Sequence, residues 1–242
     1  MDIIKLNAIP STNDYLKVLL SERHVENFTI VSAEYQTAGK GQMGSVWSVE
    51  AGKNLTFSVL VRDLLLGIDE IFHLNAAVAV SIAEALDAFG IKDVCIKWPN
   101  DILAGHYKIG GVLIENSIKN NGEIYSVIGI GLNVNQINFG GLPKASSLAV
   151  VAGKEFDKES LMIIIAEKLK RNVSRILNKE TVSLWDNYHK KLFKKGQPMP
   201  FEKGGQRFMG IIRGVAHNGN LHVVLEDDSV AEFGLKEVVM LY

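Results

Sequence analysis

Residues 39–44 read GKGQMG. Gly39, Gly41 and Gly44 fall on the spacing G-x-G-x-x-G, the glycine pattern of dinucleotide-binding folds, and the reading of this stretch decides the architecture. The pattern carries that meaning only when a strand precedes it and a helix follows. Residues 29–35, TIVSAEY, are rich in β-branched and aromatic side chains and predict the strand. An acidic residue, Asp63, even stands about 20 residues past the last glycine, as such folds require. The helix is missing. Residues 45–53, SVWSVEAGK, show no 3.6-residue apolar face, and residues 54–61, NLTFSVLV, already read as a second strand. A parallel crossover needs about a dozen residues or more, usually helical. Strand, glycine-rich loop and strand therefore predict an antiparallel pair rather than a dinucleotide-binding β-α-β unit.

Outward from this pair, residues 10–20 open with PSTND and predict a short helix. Ser11 stands as its cap, with Asp14 three residues on in place of the usual glutamate. Residues 71–89 predict a second helix with Ile71, Val78, Ile82, Ala85, Leu86 and Phe89 on one apolar stripe and Gly90 as its stop. Residues 93–98 read as a short strand broken by Pro99. Two longer strands, 108–115 and 123–134, flank the hairpin signal Asn120-Asn121-Gly122. Residues 157–178 and 180–192 predict helices. After Lys195 the pattern changes to short strands at 198–201, 207–215, 221–226, 230–233 and 238–241, with turns at Asn218-Gly219-Asn220 and Asp227-Asp228. The expected fold is α+β: a mixed β-sheet flanked by helices over residues 1–194, then a small all-β barrel over residues 195–242. A unit that small buries little surface alone and is expected to pack against the first.

Composition narrows the function. The chain of 242 residues is 47% hydrophobic with a formal net charge of −1. No basic stripe offers the electrostatic footprint of a nucleic-acid binder. No apolar run approaches membrane-spanning length and the N-terminus lacks a signal-peptide pattern, so a cytoplasmic protein without membrane contact is expected. The single cysteine, Cys95, excludes an internal disulfide framework and reads as a small apolar strand residue. The six histidines are scattered without H-x-x-x-H spacing, so no dedicated metal site is expected.

Five stretches carry more chemistry than connection requires. Ser11-Thr12-Asn13 sits at a helix N-terminus, where free N–H groups and the positive dipole end suit a polar ligand; plain capping is the simpler reading. In the loop from Gln36 to Trp47, Gly39, Gly41 and Gly44 permit close approach of backbone to ligand, Lys40 adds a cation and Trp47 a flat face for a base. Lys97-Trp98-Pro99-Asn100-Asp101 ends a buried strand with a lysine, which is costly unless it meets an anion. Lys108-Ile109-Gly110-Gly111 places a second lysine beside paired glycines. Two lysines and an aspartate around one tight turn suit a reaction between two anions, a carboxylate and a phosphate. In GIGLNVN, 129–135, strand glycines mark close approach or a bulge, and Asn133 could read a purine edge.

In this order the stretches resemble biotin protein ligases. The likeness rests on Ser11-Thr12-Asn13, the 36–47 loop, KWPNDI at 97–102, KIGGVLIE at 108–115 and GIGLNVN at 129–135, and it spans essentially the whole chain. It implies a class II aminoacyl-tRNA synthetase-like catalytic sheet with a C-terminal SH3-like barrel. Some relatives carry an N-terminal DNA-binding helix-turn-helix; ten residues before Ser11 imply the ligase-only form. The implied reaction joins the biotin carboxylate to the α-phosphate of ATP, carried as its Mg²⁺ complex, and then passes biotin from biotinyl-5′-AMP to a lysine of a biotin carboxyl carrier protein of a biotin-dependent carboxylase. By the same resemblance Lys108, Asp101 and Lys97 are the catalytic group. Ser11, Thr12, Asn13, Gln36, Gly39, Lys40, Gly41, Gln42, Lys108, Gly111 and Gly129 would line the biotin site. Gln42, Trp47, Asn100, Asp101, Lys108, Gly131 and Asn133 would serve the nucleotide, with Asn100 and Asp101 open equally to its metal or to the incoming lysine. Relatives are monomers or homodimers.

Two positions depart from the family loop GRGRxG. Lys40 replaces an arginine and loses its bidentate fork. Gln42 replaces the second arginine and brings no charge. Two other readings remain: a lipoate or octanoate ligase or transferase of the same fold, and a non-catalytic biotin-binding module.

Overall fold

The structure, a computed structural model, describes residues 1–62, 64, 66, 70–118 and 124–242. Asp63 and the turn Asn120-Asn121-Gly122 lie outside the described residues. The first sheet has seven strands: β1 (Ile3–Ile9), β2 (Ile30–Gln36), β3 (Leu55–Arg62), β4 (Val94–Lys97), β5 (Asp101–Ala104), β6 (Tyr107–Ile118) and β7 (Ile124–Leu132). Their spatial order is β1-β2-β3-β7-β6-β5-β4. β1 runs parallel to β2, and every other neighbouring pair is antiparallel. The pair around the glycine loop is antiparallel as expected, with Ile30 opposite Val59 and Ala33 opposite Thr56. The helical crossover lies one step earlier: α1 (Thr12–Glu22) links β1 to β2.

β1 adds an edge strand where no strand was expected. IIKLNAI leaves its side chains half-buried or exposed, so it lacks the alternation of a strand covered on one face. β5 was also unforeseen. Four residues, DILA, follow the Trp98-Pro99 turn directly and pair back on β4, with Lys97 opposite Asp101.

α2 (Phe72–Ala88) differs from the expected single stripe. Ile71 is exposed, while the alanines at 76, 77, 79, 83 and 85 are buried with Val78, Ile82 and Leu86. The helix is wedged among the sheet, α4 (Lys158–Leu177) and α5 (Val182–Lys191), so nearly every face is covered and alanine permits close approach. Asp157 caps α4 by accepting from the Ser160 N–H at 2.9 Å. A five-residue helix, α3 (Leu148–Ala152), ends at Gly153 in the left-handed region, φ 68°. Among the described residues no helix is long and apolar enough to cross a membrane.

The second sheet is antiparallel: β8 (Pro198–Lys203), β9 (Gln206–Val215), β10 (Leu221–Val224), β11 (Val230–Phe233) and β12 (Val239–Met240), in the order β11-β10-β9-β8-β12. It is consistent with the SH3-like unit expected. Its core of Met199, Phe201, Ile212, Leu221, Val223 and Phe233 is continuous with that of the larger sheet. The turn at Gly219 reaches back to the first sheet, where the Trp98 indole N–H donates to the Gly219 carbonyl at 2.8 Å.

Candidate functional site

The functional stretches converge on one face of the seven-stranded sheet, around two adjoining cavities. The first, about 200 Å³, is lined by residues of all five stretches, among them Ser11, Gln36, Gln42, Trp47, Asp101 and Lys108. The second, about 410 Å³, runs between the glycine loop and the 139–145 segment and ends at Tyr242. Val46, Trp47 and Lys108 border both.

The inner end of the first cavity is polar and uncharged. Ser11 caps α1, accepting from the Asp14 N–H at 3.3 Å, and is buried with Thr12 and Asn13. Thr12 donates to Gln36 Oε1 through its backbone N–H at 2.7 Å and its hydroxyl at 3.0 Å. That carbonyl oxygen is thereby occupied, and Gln36 is left to offer its NH₂. The buried hydroxyl of Ser58 on β3 lies 2.7 Å from Thr12 Oγ1 and 2.5 Å from Asn13 Oδ1. Asn13 Nδ2 donates to Glu115 Oε2 at 2.7 Å, so its amide is engaged within the protein.

Two strand glycines make room for this chain's own side chains. A Cβ on Gly129 would stand 2.6 Å from Asn13 Oδ1, and one on Gly131 would stand 2.5 Å from the Trp47 indole. The close approach signalled by GIGLN is thus first an internal one. Gly111 is different: its nearest neighbours, Lys108 and Trp47, are at 3.8 Å, so it keeps the floor of the cavity open beside the lysine.

The cationic centre is built by the β4–β5 turn and the start of β6. Asp101 Oδ1 accepts from Lys108 Nζ at 2.6 Å, and Oδ2 from Lys97 Nζ at 3.3 Å. The Asp101 and Lys97 side chains are 14% and 17% exposed, whereas Lys108 is 37% exposed and open to the cavities. Two ammoniums on one carboxylate leave a net positive charge, and that surplus is presented by Lys108. Asn100 sits on the rim, yet its Nδ2 donates to the Val112 carbonyl at 2.8 Å and pins the turn to β6. Asn133 is buried at the second cavity with Nδ2 donating to the Ser146 carbonyl at 2.9 Å; its amide oxygen is what it can offer a ligand.

The glycine loop closes over this centre as a tight hairpin. Lys40 pairs with Val46, the Gly41 N–H donates to Ser45 at 2.7 Å and the Trp47 N–H to Gly39 at 2.9 Å. Gly39 is obligatory here, because a Cβ would stand 2.3 Å from the Trp47 carbonyl oxygen. Lys40 lines the first cavity, and its ammonium is paired with Asp14 at 2.6 Å. Gln42 lines the first cavity. Buried Trp47 Nε1 has no hydrogen-bond partner within the protein.

Sequence reasoning gave no site role to Ser58, Glu115, Asp14 or Tyr242. Ser58 lies in an apolar strand, Glu115 beyond a glycine motif and Asp14 in a helix that needed no further explanation. Only tertiary pairing brings them to the site. Lys97 and Lys144 stand 5.3 and 4.2 Å from the Tyr242 ring centre. Cys95 lies outside the cavities, and burial raises its thiol to about 11, against any nucleophilic use.

The architecture is that of biotin protein ligases. The ligase from Aquifex aeolicus, solved with biotin and ATP, superimposes with a TM-score of 0.82 over 99% of this chain and 98% of its own, at 24% identity, a likeness of fold. The chain belongs to the biotin/lipoate A/B protein ligase family, whose model matches residues 6–135. It is 30% identical to the bifunctional ligase/repressor BirA of Salmonella typhimurium over 95% of this chain and 71% of that protein. It is 28% identical to the biotin–[acetyl-CoA-carboxylase] ligase of Mycobacterium tuberculosis over 87% of this chain and 79% of that one.

Proposed function

We propose that this chain is an ATP-dependent biotin protein ligase, acting in the cytoplasm on a biotin carboxyl carrier protein. One observation carries the reading: Lys108 stands at the junction of an inner polar cavity and an outer apolar one, borne by an ion-pair cluster with surplus positive charge. In this reading the inner cavity takes biotin. The uncharged donors and acceptors of Ser11, Thr12 and Gln36 face its ureido ring, which needs both and carries no charge. Asn13 shapes that end with Ser58. The tail runs between Gly111 and Gly129 on the sheet and the backbone of Gly39, Lys40 and Gly41.

The outer cavity takes the nucleotide as its Mg²⁺ complex, with the base against Trp47 over Gly131 and near the Asn133 carboxamide. Asn100 and Gln42 serve its phosphate side. Carboxylate and α-phosphate then meet at Lys108. Bringing two anions together is the electrostatic obstacle, and a preorganised ammonium in a site closed to water offsets it. Lys97 is the second cation, and Asp101 aims both. The carboxylate oxygen attacks the α-phosphorus and pyrophosphate leaves. A carrier lysine amine then attacks the acyl carbon and AMP leaves. The small sheet and the larger one are taken as two units, 195–242 and 1–194, that work as one body.

The test is pyrophosphate release from MgATP with biotin, lipoate or octanoate offered separately. Release with biotin alone, followed by labelling of a carrier lysine, is expected. Release with lipoate or octanoate alone would move the chain to the other branch of the family. No release with any acid, while biotin still raises the melting temperature, would make it a binding module.

A further inference from the structure

We propose that Asp14 is a positioning residue for the glycine loop: its carboxylate latches the loop shut through Lys40 and so governs how long the enzyme retains its acyl-adenylate. The proposal rests on the reading above and adds a residue that touches neither substrate.

Asp14 lies in the first turn of α1, one residue beyond the polar cluster. Its carboxylate accepts from Lys40 Nζ at 2.6 Å through Oδ2 and from Lys17 Nζ at 2.9 Å through Oδ1. Lys17 also holds Glu115 at 2.9 Å, and Glu115 holds Asn13 at 2.7 Å. Asp14 is therefore fixed from its helix side before Lys40 arrives, and less side-chain freedom is lost on closing than in an isolated surface pair. Partial burial opposes the ionised form, yet the ammoniums of Lys40 and Lys17 more than offset it and the carboxyl stays below its usual range.

The loop can be governed from one point because it is internally stiff. The hairpin bonds between Gly39, Gly41, Ser45 and Trp47 join its two arms. Its base is tied to the β1–α1 connection, with the Thr37 N–H donating to Ile9 at 2.9 Å and the Ala38 N–H to Pro10 at 3.0 Å. A pull on Lys40 therefore moves Trp47, which lies against Gly131 at the mouth of both cavities. The pair is half-exposed, so it shifts the balance of open and closed loop only about two- to fivefold. That suits a loop that must open at every turnover.

The first measurement is the release rate of acyl-adenylate, formed from biotin and MgATP without acceptor and followed in a chase, for the natural chain, Asp14→Asn and Asp14→Glu. Asp14→Asn is expected to release about two- to fivefold faster, with the rate of adenylate formation at saturating substrates changed less than release. Asp14→Glu should restore retention. Added salt should speed release in the natural chain and leave Asp14→Asn unaffected. Equal release from all three at low salt overturns the proposal. Hydrogen exchange at the Gly41 and Trp47 amides is read alongside, without ligand. Faster exchange in Asp14→Asn supports the latch even if no acyl-adenylate forms, in which case the function reading alone fails. Where no acyl-adenylate forms, unchanged exchange refutes the latch.

Discussion

Lys108 is where residue-level chemistry concentrates. Its neighbours are arranged to hold an ammonium in the open rather than to consume it, since Asp101 divides its two oxygens between Lys108 and the more buried Lys97. Lys108→Ala should lower kcat/KM for pyrophosphate release by about 10²–10³, the usual range for losing one preorganised donor at developing charge. Biotin should still raise the melting temperature, because the donors for its ring lie at the other end of the cavity. A loss smaller than tenfold would place the main burden on Lys97. At this scale much of the site is legible in the sequence, because KWPND and KIGG place both lysines and the aspartate around one short turn. What the sequence hides is pairing across elements. Ser58 reads as one polar residue in an apolar strand, and Gly131 as a strand irregularity; the structure makes it the seat of Trp47.

At the scale of elements, α1 performs two tasks with one cap. Ser11 satisfies a first-turn N–H and also lines the inner cavity. The two roles separate by substitution, because asparagine caps as well as serine whereas alanine does not. Ser11→Ala should cost about 1 kcal/mol of stability and weaken biotin binding. Ser11→Asn should lose less stability than Ser11→Ala and still lose biotin affinity, because its larger amide intrudes on the inner cavity. Retained affinity in Ser11→Asn would reduce Ser11 to a cap. Element boundaries were legible where periodicity is long, as in α4, or where turn chemistry is strong, as in the small sheet. They were hidden at β1 and β5. The first is an edge strand without a buried face, and the second is four residues long and defined by its pairing on β4.

The whole molecule is joined by an aromatic seam between α2, α5 and the second sheet, with Phe72, His73, Trp185 and Tyr188 buried. Trp185 stacks on His217 at 4.7 Å between ring centres and meets His73 edge-on at 5.5 Å. Gly219 packs so tightly on Phe72 that a Cβ would stand 2.5 Å from its ring. His189 sits in this seam with Nε2 at 3.1 Å from both the N–H and the carbonyl oxygen of Val215: the neutral ring protonated on Nδ1 accepts the N–H, and the charged ring would donate to the carbonyl instead. Burial lowers its pKa from 6.5, and Lys195 and His217 push the same way against the Val215 carbonyl and Asp186. The consequence for stability has a definite sign. Above 6.5 both the folded and unfolded chains hold a neutral ring, and the contribution is complete. As the pH falls below that value the unfolded chain takes up a proton that the folded chain resists, and stability declines until the folded pKa is passed. The melting temperature should therefore fall as the pH is lowered through and below 6.5, and fall less in His189→Gln, whose amide oxygen accepts the same N–H without titrating. Equal slopes in the two proteins would remove His189 from the seam's energetics. A shallower slope in the variant, with activity falling in parallel in the natural chain, would tie the docking of the small sheet to the KWPND turn that its Gly219 carbonyl holds through Trp98.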